Sequence, residues 1–159
     1  MRPLQTACSI PCALEIGREN ERKAQSRAIR VRSVEAKPLQ YWAARAQKAF
    51  NAYIRERDKD QPCITCGTWE AEEWHAGHWI PVGRSSALRF DEANVHRQCR
   101  QCNYFGAGRQ DDYEMRLPAR IGQAEVDRLK HAGREYRWTR EQLQAVEGKY
   151  KTKMKGAAR

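Results

Sequence analysis

The sequence predicts an α+β fold: a small zinc-bound core of short strands and turns, flanked by helices. Two Cys-x-x-Cys pairs, Cys63/Cys66 and Cys99/Cys102, bracket a turn-rich middle and can close on one ion. Apolar residues recur at helical spacing on both sides of that middle. The 159 residues, 40% hydrophobic and 31% charged, leave room for about one domain with a modest core, a kind that a metal often holds together.

Residues 1–37 read as a basic N-terminal arm. From Ala13 to Lys37 the chain is rich in Arg, Glu and Ala, with Arg18, Arg22, Lys23, Arg27, Arg30 and Arg32 giving it a positive bias. It can form a helix but has little to bury, so a solvated helical arm and an ordinary charged linker both fit. Residues 38–62 hold one amphipathic helix. Pro38 suits its first turn, and Leu39, Trp42, Ala46, Ala49, Phe50, Tyr53 and Ile54 form a stripe that predicts a helix over Leu39–Arg57. Asp58 to Pro62 then breaks it.

Residues 63–110 form the metal-bound core. Gly67 follows the first knuckle, where a positive φ is often required. Trp79-Ile80-Pro81-Val82 reads as a short strand leaving His78, Gly83 to Ser86 as a loop, and Val95 to Asn103 as a passage through the second knuckle into a helix. Residues 111–159 return to helix and end in a basic tail. Tyr113, Met115, Leu117, Ile121, Val126 and Leu129 supply apolar positions, interrupted by Pro118 and Gly122. Thr139 and Gln142 make a capping box for a helix bearing Leu143, Val146 and Tyr150.

The net charge of +10 and pI ≈ 9.6 point to a polyanionic partner, nucleic acid first. No apolar run approaches the roughly 18 residues of a membrane span, and the N-terminus shows no signal-peptide stretch. A reducing, intracellular setting follows as the expectation. Paired cysteines there are more often metal ligands than disulfides, and the thioredoxin-like setting of a redox pair is missing.

Between the pairs lie His75, His78 and Asn94, and Asn103 follows the last cysteine directly. Phosphodiester cleavage needs an activated water, neutralised phosphate charge and help for the leaving oxygen. A neutral histidine can take the water's proton near pH 7. A hard divalent cation can stabilise the phosphate and leaving group, and an asparagine oxygen is a suitable ligand for it. An amide can equally orient the imidazole and fix its tautomer.

His78, Asn94 and Asn103, framed by the four cysteines, resemble the His-Asn-Asn form of the HNH, or ββα-metal, nucleases. More narrowly, Lys37 to Trp42, Phe50 to Asp58, Ala76-Gly77-His78, Leu88 to His96, Gln98-Cys99 and Arg120 to Gln123 resemble the NinG/Rap recombination proteins of lambdoid phages. The resemblance covers about Lys37 to Lys155. It implies a structure-specific endonuclease acting on Holliday junctions and displacement loops in phage recombination, in the cytoplasm of a bacterial host cell. His78 would be the general base, Asn94 would position the base or its loop, and Asn103 would ligate catalytic Mg²⁺ or Mn²⁺. Structural Zn²⁺ would sit on the cysteines.

Three departures accompany the resemblance. Many HNH nucleases carry an aspartate ligand before the histidine, where this chain has Gly77; His75 or Asp91 could supply the contact. Relatives often carry an N-terminal four-cysteine module, of which Cys8 and Cys12 resemble only the second half. The segment after Asn103 lacks a lysine that relatives often place there. Arg84, Arg89, Arg97, Arg100 and Arg109 flank the centre and suit phosphate oxygens. A symmetric homodimer would suit a reaction that cuts two strands. Two other functions fit the residues: a zinc-scaffolded DNA-binding accessory without catalysis, and an HNH nuclease cutting one duplex sequence.

Overall fold

The computed structural model describes residues 9–157 and divides the chain into two units, residues 1–38 and 39–159. The described part of the first unit is dominated by one helix, α1 (Ile10–Glu35). Ser9 caps it, its hydroxyl accepting from the Cys12 N–H at 3.4 Å. No residue of α1 is buried, in keeping with a segment rich in charge and poor in large apolar side chains.

The second unit is a helix-rich α+β assembly around a two-stranded sheet. Its elements are α2 (Leu39–Arg57), β1 (Trp74–His78), β2 (Val95–Cys99), a π-helical turn (Gln101–Phe105), α3 (Gln110–Ile121), α4 (Gln123–Lys130) and α5 (Arg140–Ala157). The strands are antiparallel, with Trp74 opposite Cys99, His75 opposite Gln98, Gly77 opposite His96 and His78 opposite Val95. Because side chains alternate along a strand, His75 and Gly77 share one face of β1, and Gln98 lies across the ladder from His75 on that face.

The helix α2 forms because its apolar residues recur every four positions. Trp42, Ala46, Phe50 and Ile54 are all buried. Their main partner is α5, which the expected capping box starts: Thr139 N–H donates to Gln142 Oε1 at 2.9 Å and Gln142 N–H to Thr139 Oγ1 at 3.2 Å. The rings of Phe50 and Tyr150 meet edge to face at 4.9 Å, and Phe50 meets Phe90 likewise at 5.7 Å. Arg45 grips Glu147 with two hydrogen bonds of 2.8 Å, which hold the Glu147 carboxyl down at about 2. Glu92 accepts from Tyr53, Tyr150 and Lys153, so α2, α5 and the loop before β2 meet at one carboxylate.

A second cluster of Ile64, Trp79, Leu88, Tyr113, Leu117, Val126 and Leu129 packs α3 and α4 against the first knuckle and the region that follows β1. Two expectations change here. Trp79 to Val82 do not form a strand. Trp79 N–H makes one more bond to the Asn94 carbonyl, but Pro81 has no N–H to offer a ladder, and its carbonyl accepts from Arg84 and Ser85 in a turn. Pro118 does not interrupt α3, which runs through it to Gly122, where φ is 83°. None of the described helices is long and apolar enough to cross a membrane.

Phe50→Ala should remove the ring on which α2, α5 and Phe90 converge. A loss of about 3–5 kcal/mol is expected for a buried aromatic of this kind, measured by urea unfolding of the metal-loaded protein. A loss under about 1 kcal/mol would show that the α2–α5 contact does not stabilise the unit.

Candidate metal centre and histidine site

The site begins with two knuckles. In the first, Cys63 N–H donates to the Thr68 carbonyl at 2.8 Å and Gly67 N–H to the Cys63 carbonyl at 2.9 Å. Gly67 closes the turn at φ 76°, a conformation that disfavours a side chain. Ile64 N–H reaches the Arg97 carbonyl at 3.1 Å and ties this knuckle to β2. In the second, Cys99 ends β2 and the buried Cys102 lies in the π-helical turn that follows.

The four sulfurs lie within 4.8 Å of one another. Cys66 and Cys99 sulfurs are 3.8 Å apart. A zinc ion with bonds of ~2.3 Å sets its tetrahedral sulfurs about 3.8 Å from each other, so the four cysteines fit a metal ion such as zinc. Burial opposes the Cys63 thiolate, yet backbone N–H groups of Cys66, Cys99 and Thr65 outweigh it and hold its pKa at about 7. Burial and the neighbouring thiols push Cys102 far up. One thiolate is therefore prepared, while the raised Cys99 and Cys102 thiols need a cation to ionise beside it. Among the described residues this is the one cluster of three or more Cys, His, Asp or Glu that could hold an ion.

His78 ends β1. Its Nε2 lies 2.9 Å from the Arg89 carbonyl, which can only accept, so the ring carries its proton there and leaves Nδ1 with a free lone pair. Burial lowers the His78 pKa, the hydrogen bond to the Arg89 carbonyl opposes, and the Arg89 charge lowers it again. The net shift is downward, and the imidazole is neutral at pH 7.

Asn94 is fully buried and acts on the segments around His78. Its Oδ1 accepts from Ile80 N–H at 2.9 Å, and its Nδ2 donates to the carbonyls of Ile80 at 3.0 Å and Leu88 at 3.2 Å. The carboxamide thus takes the place of a strand partner for Ile80.

Asn103 stands beside His75. Its Nδ2 donates to His75 Nδ1 at 2.8 Å, and His75 Nε2 lies 3.3 Å from the Glu73 carboxylate. Both nitrogens of His75 are engaged, which makes it a brace for Asn103 in this arrangement. Asn103 Oδ1 accepts no hydrogen bond among the described residues and fits a hard cation. Asp91 is engaged elsewhere, with Ala93 N–H at 2.9 Å and Arg128 at 2.8 Å.

Gly77 is required where it is. A Cβ there would come within 1.9 Å of Gln98 Oε1. Its carbonyl is held by a buried relay in which His96 Nδ1 is 3.1 Å from Tyr113 Oη, and Tyr113 O–H donates to Gly77 at 3.0 Å. Because Tyr113 gives its proton to Gly77, it accepts from His96, which is neutral with its proton on Nδ1. Sequence reasoning gave Tyr113 only as an apolar position and His96 and Gln98 only as part of the family resemblance, with no role in the site. A polar Gln at an inward position of β2, diagonal to a glycine, was the available signal.

The five arginines divide. Arg97 stacks on Trp74 at 3.6 Å and donates to the carbonyls of Asp58, Lys59 and Gln61, so it braces the entry to the first knuckle. Arg109 pairs with Asp112 at 2.7 Å, and Arg100 lies 3.6 Å from Glu73. Arg84 is exposed and Arg89 half-buried, and neither has an acidic partner among the described residues. Arg89 donates to Gln47 at 2.9 Å. Cys8 lies outside the described residues, so a role for the Cys8/Cys12 pair has no geometry here.

A family model described as the bacteriophage lambda NinG protein matches residues 1–159. The chain belongs to the NinG family. It is 41% identical to Protein ninG of Salmonella phage P22 over 166 residues, covering 93% of this chain and 82% of that protein. Protein ninG of Escherichia phage lambda is also 41% identical, with 93% and 81% covered. Protein ninG of Escherichia phage 933W is 43% identical over 127 residues, and the match spans 80% of this chain and 63% of that relative. No solved structure matches.

Two outcomes test the site. Native mass spectrometry should show one zinc ion per chain, and chelation should abolish amide protection of β1 and β2; a protected hairpin in metal-free protein would contradict the thiolate scaffold. Burial, with the Arg57 charge, lowers the His96 pKa to about 3 while Asp58 opposes. The unfolded chain therefore binds one more proton than the folded one between about pH 6.5 and pH 3, and this group's contribution to stability falls as pH drops through that window. Ring ¹⁵N spectra should show His96 neutral, protonated on Nδ1 and not titrating between pH 8 and 5; a titration near pH 6.5 would contradict the relay.

Proposed function

We propose that this chain is a divalent-metal-dependent endonuclease of the HNH, ββα-metal type that cuts branched DNA in phage recombination. The observation that carries the reading is His78, a neutral imidazole whose Nε2–H is tied to the Arg89 carbonyl at 2.9 Å and whose Nδ1 has no hydrogen-bond partner among the described residues. In this reading Nδ1 takes a proton from a water, the water's oxygen attacks phosphorus, and the P–O bond opposite it breaks. Asn94 holds the chain on either side of the base. Arg84 and Arg89, whose charges no acid offsets among the described residues, draw phosphate oxygens to it.

Zinc on Cys63, Cys66, Cys99 and Cys102 is structural in this account. Asn103 would hold Mg²⁺ or Mn²⁺ through Oδ1, with His75 bracing its amide. Such an ion, when bound, neutralises phosphate charge and stabilises the leaving oxygen. Recognition rests on backbone charge and branch shape, which accords with a net charge of +10. Two cuts across a junction favour a homodimer, and the setting is the host cytoplasm. Gly77 favours a second reading, a DNA-binding accessory without catalysis, because no carboxylate precedes His78.

A synthetic four-way junction and a linear duplex, each incubated with zinc-loaded protein and Mg²⁺ or Mn²⁺, separate these readings. The nuclease reading expects junction cleavage that falls at least about a hundredfold in His78→Ala while junction affinity is kept. Junction binding without cleavage at any pH or metal supports the accessory, and one cut site in linear duplex supports a sequence-specific nuclease.

A further inference from the structure

Residues 82–86 and 133–138 lie outside helix and strand, yet five hydrogen bonds join the two loops. Ser85 O–H donates to the Gly133 carbonyl at 2.7 Å, Ser86 N–H to the Arg134 carbonyl at 2.9 Å and Ser86 O–H to the Tyr136 carbonyl at 3.0 Å. In return Tyr136 N–H donates to Ser86 Oγ at 2.7 Å and the Trp138 indole N–H to the Ser86 carbonyl at 3.0 Å. Ser86 thus gives its N–H, its hydroxyl and its carbonyl to the second loop, and the pair holds one arrangement. The result is that Arg84 and Arg134, 50 positions apart, line one surface hollow with Val82, Gly83, Ser86 and Glu135. Both also line an adjoining hollow that reaches Trp79 and Ile80, the residues directly after His78.

Both arginines are exposed, and neither guanidinium is paired with a carboxylate among the described residues, whereas Arg45, Arg57, Arg109 and Arg128 are each spent on one. Glu135 borders the first hollow, so two cations stand there against one acid. Asp111 and Glu114 border the second, and Glu114 is taken up by Lys130 at 2.6 Å. Like charges brought to one hollow repel unless an anion lies between them. A guanidinium fork matches phosphate oxygens, and two forks can grip one phosphate from two sides. The side chains are too open to water to enclose a free phosphate, while a phosphate within a polymer is delivered by its neighbours.

We infer that Arg134 joins Arg84 in holding one phosphodiester group of the DNA backbone, and that the two set the strand's position beside the segment that follows His78. This rests on the reading of the chain as a DNA nuclease, through its grip on DNA rather than through the cut.

The test uses the full zinc-loaded chain without added Mg²⁺ or Mn²⁺. Fluorescence anisotropy follows a labelled four-way junction and a labelled linear duplex across a KCl series. Arg84→Gln and Arg134→Gln should each weaken both DNAs, by on the order of tenfold. The double variant should lose less than the product of the single losses, and its slope of log affinity against log salt should fall by about 0.9 in all, the value for one phosphate. Zinc content and circular dichroism confirm that these surface variants are folded. Unchanged affinity in Arg134→Gln overturns the inference, as do losses that multiply with a slope change of about 1.8, the mark of two separate contacts. Side-chain Nε–H signals of Arg84 and Arg134 that shift in the wild-type protein with micromolar inorganic phosphate but not with DNA would identify a free-anion site and overturn it too. Cleavage in Mg²⁺ is scored separately. Shared dependence on the two arginines with no cleavage by the wild-type protein supports the inference and overturns the nuclease reading; cleavage with no dependence of affinity on Arg134 does the reverse.

Discussion

Four cysteine sulfurs within 4.8 Å of one another are the constraint on which the middle of this protein depends. A two-stranded hairpin of five residues per strand is marginal on its own in water. The sulfur cluster joins the first knuckle to the end of β2 and to the π-helical turn. It thereby fixes the register in which His75 faces Gln98 and His78 faces Val95. Burying three of the four cysteines while their thiols resist ionising together gives the cluster a direct need for a cation. The helices alone do not supply this closure, since α2 and α5 pack chiefly on each other through Phe50 and Tyr150.

From that anchor the chemistry separates onto two sides of β1. His78, at the strand's end, is held by the Arg89 carbonyl and by the loops that Asn94 ties together. His75 faces the π-helical turn and braces Asn103. Gly77 lies between them, its carbonyl held by Tyr113 and its open side filled by the Gln98 oxygen. The glycine at position 77 thus has a physical counterpart in β2, because the Gln98 side chain takes the space that a Cβ there would need.

Much of this was legible in the chain because the signals were local. The stripe from Trp42 to Ile54 marked α2 to its ends, Thr139 and Gln142 marked the start of α5, and the spacing of the cysteine pairs marked the cluster. The residues whose roles sequence reading missed depend on partners far along the chain. Gln98 matters because of Gly77, Thr65 and Gly108, and Tyr113 because of His96 and Gly77. The five arginines look alike in sequence, yet Arg97 is committed to Trp74 and three carbonyls while Arg84 is exposed without an acidic partner. Trp79 to Val82 had a strand's composition, but Pro81 and the Asn94 carboxamide decided otherwise.

The most direct test of the sulfur constraint is X-ray absorption at the zinc edge of the purified, zinc-loaded protein. The account predicts a single shell of four sulfurs at ~2.3 Å. A shell containing nitrogen or oxygen in place of any sulfur would contradict it, because the two knuckles would then not close on one ion.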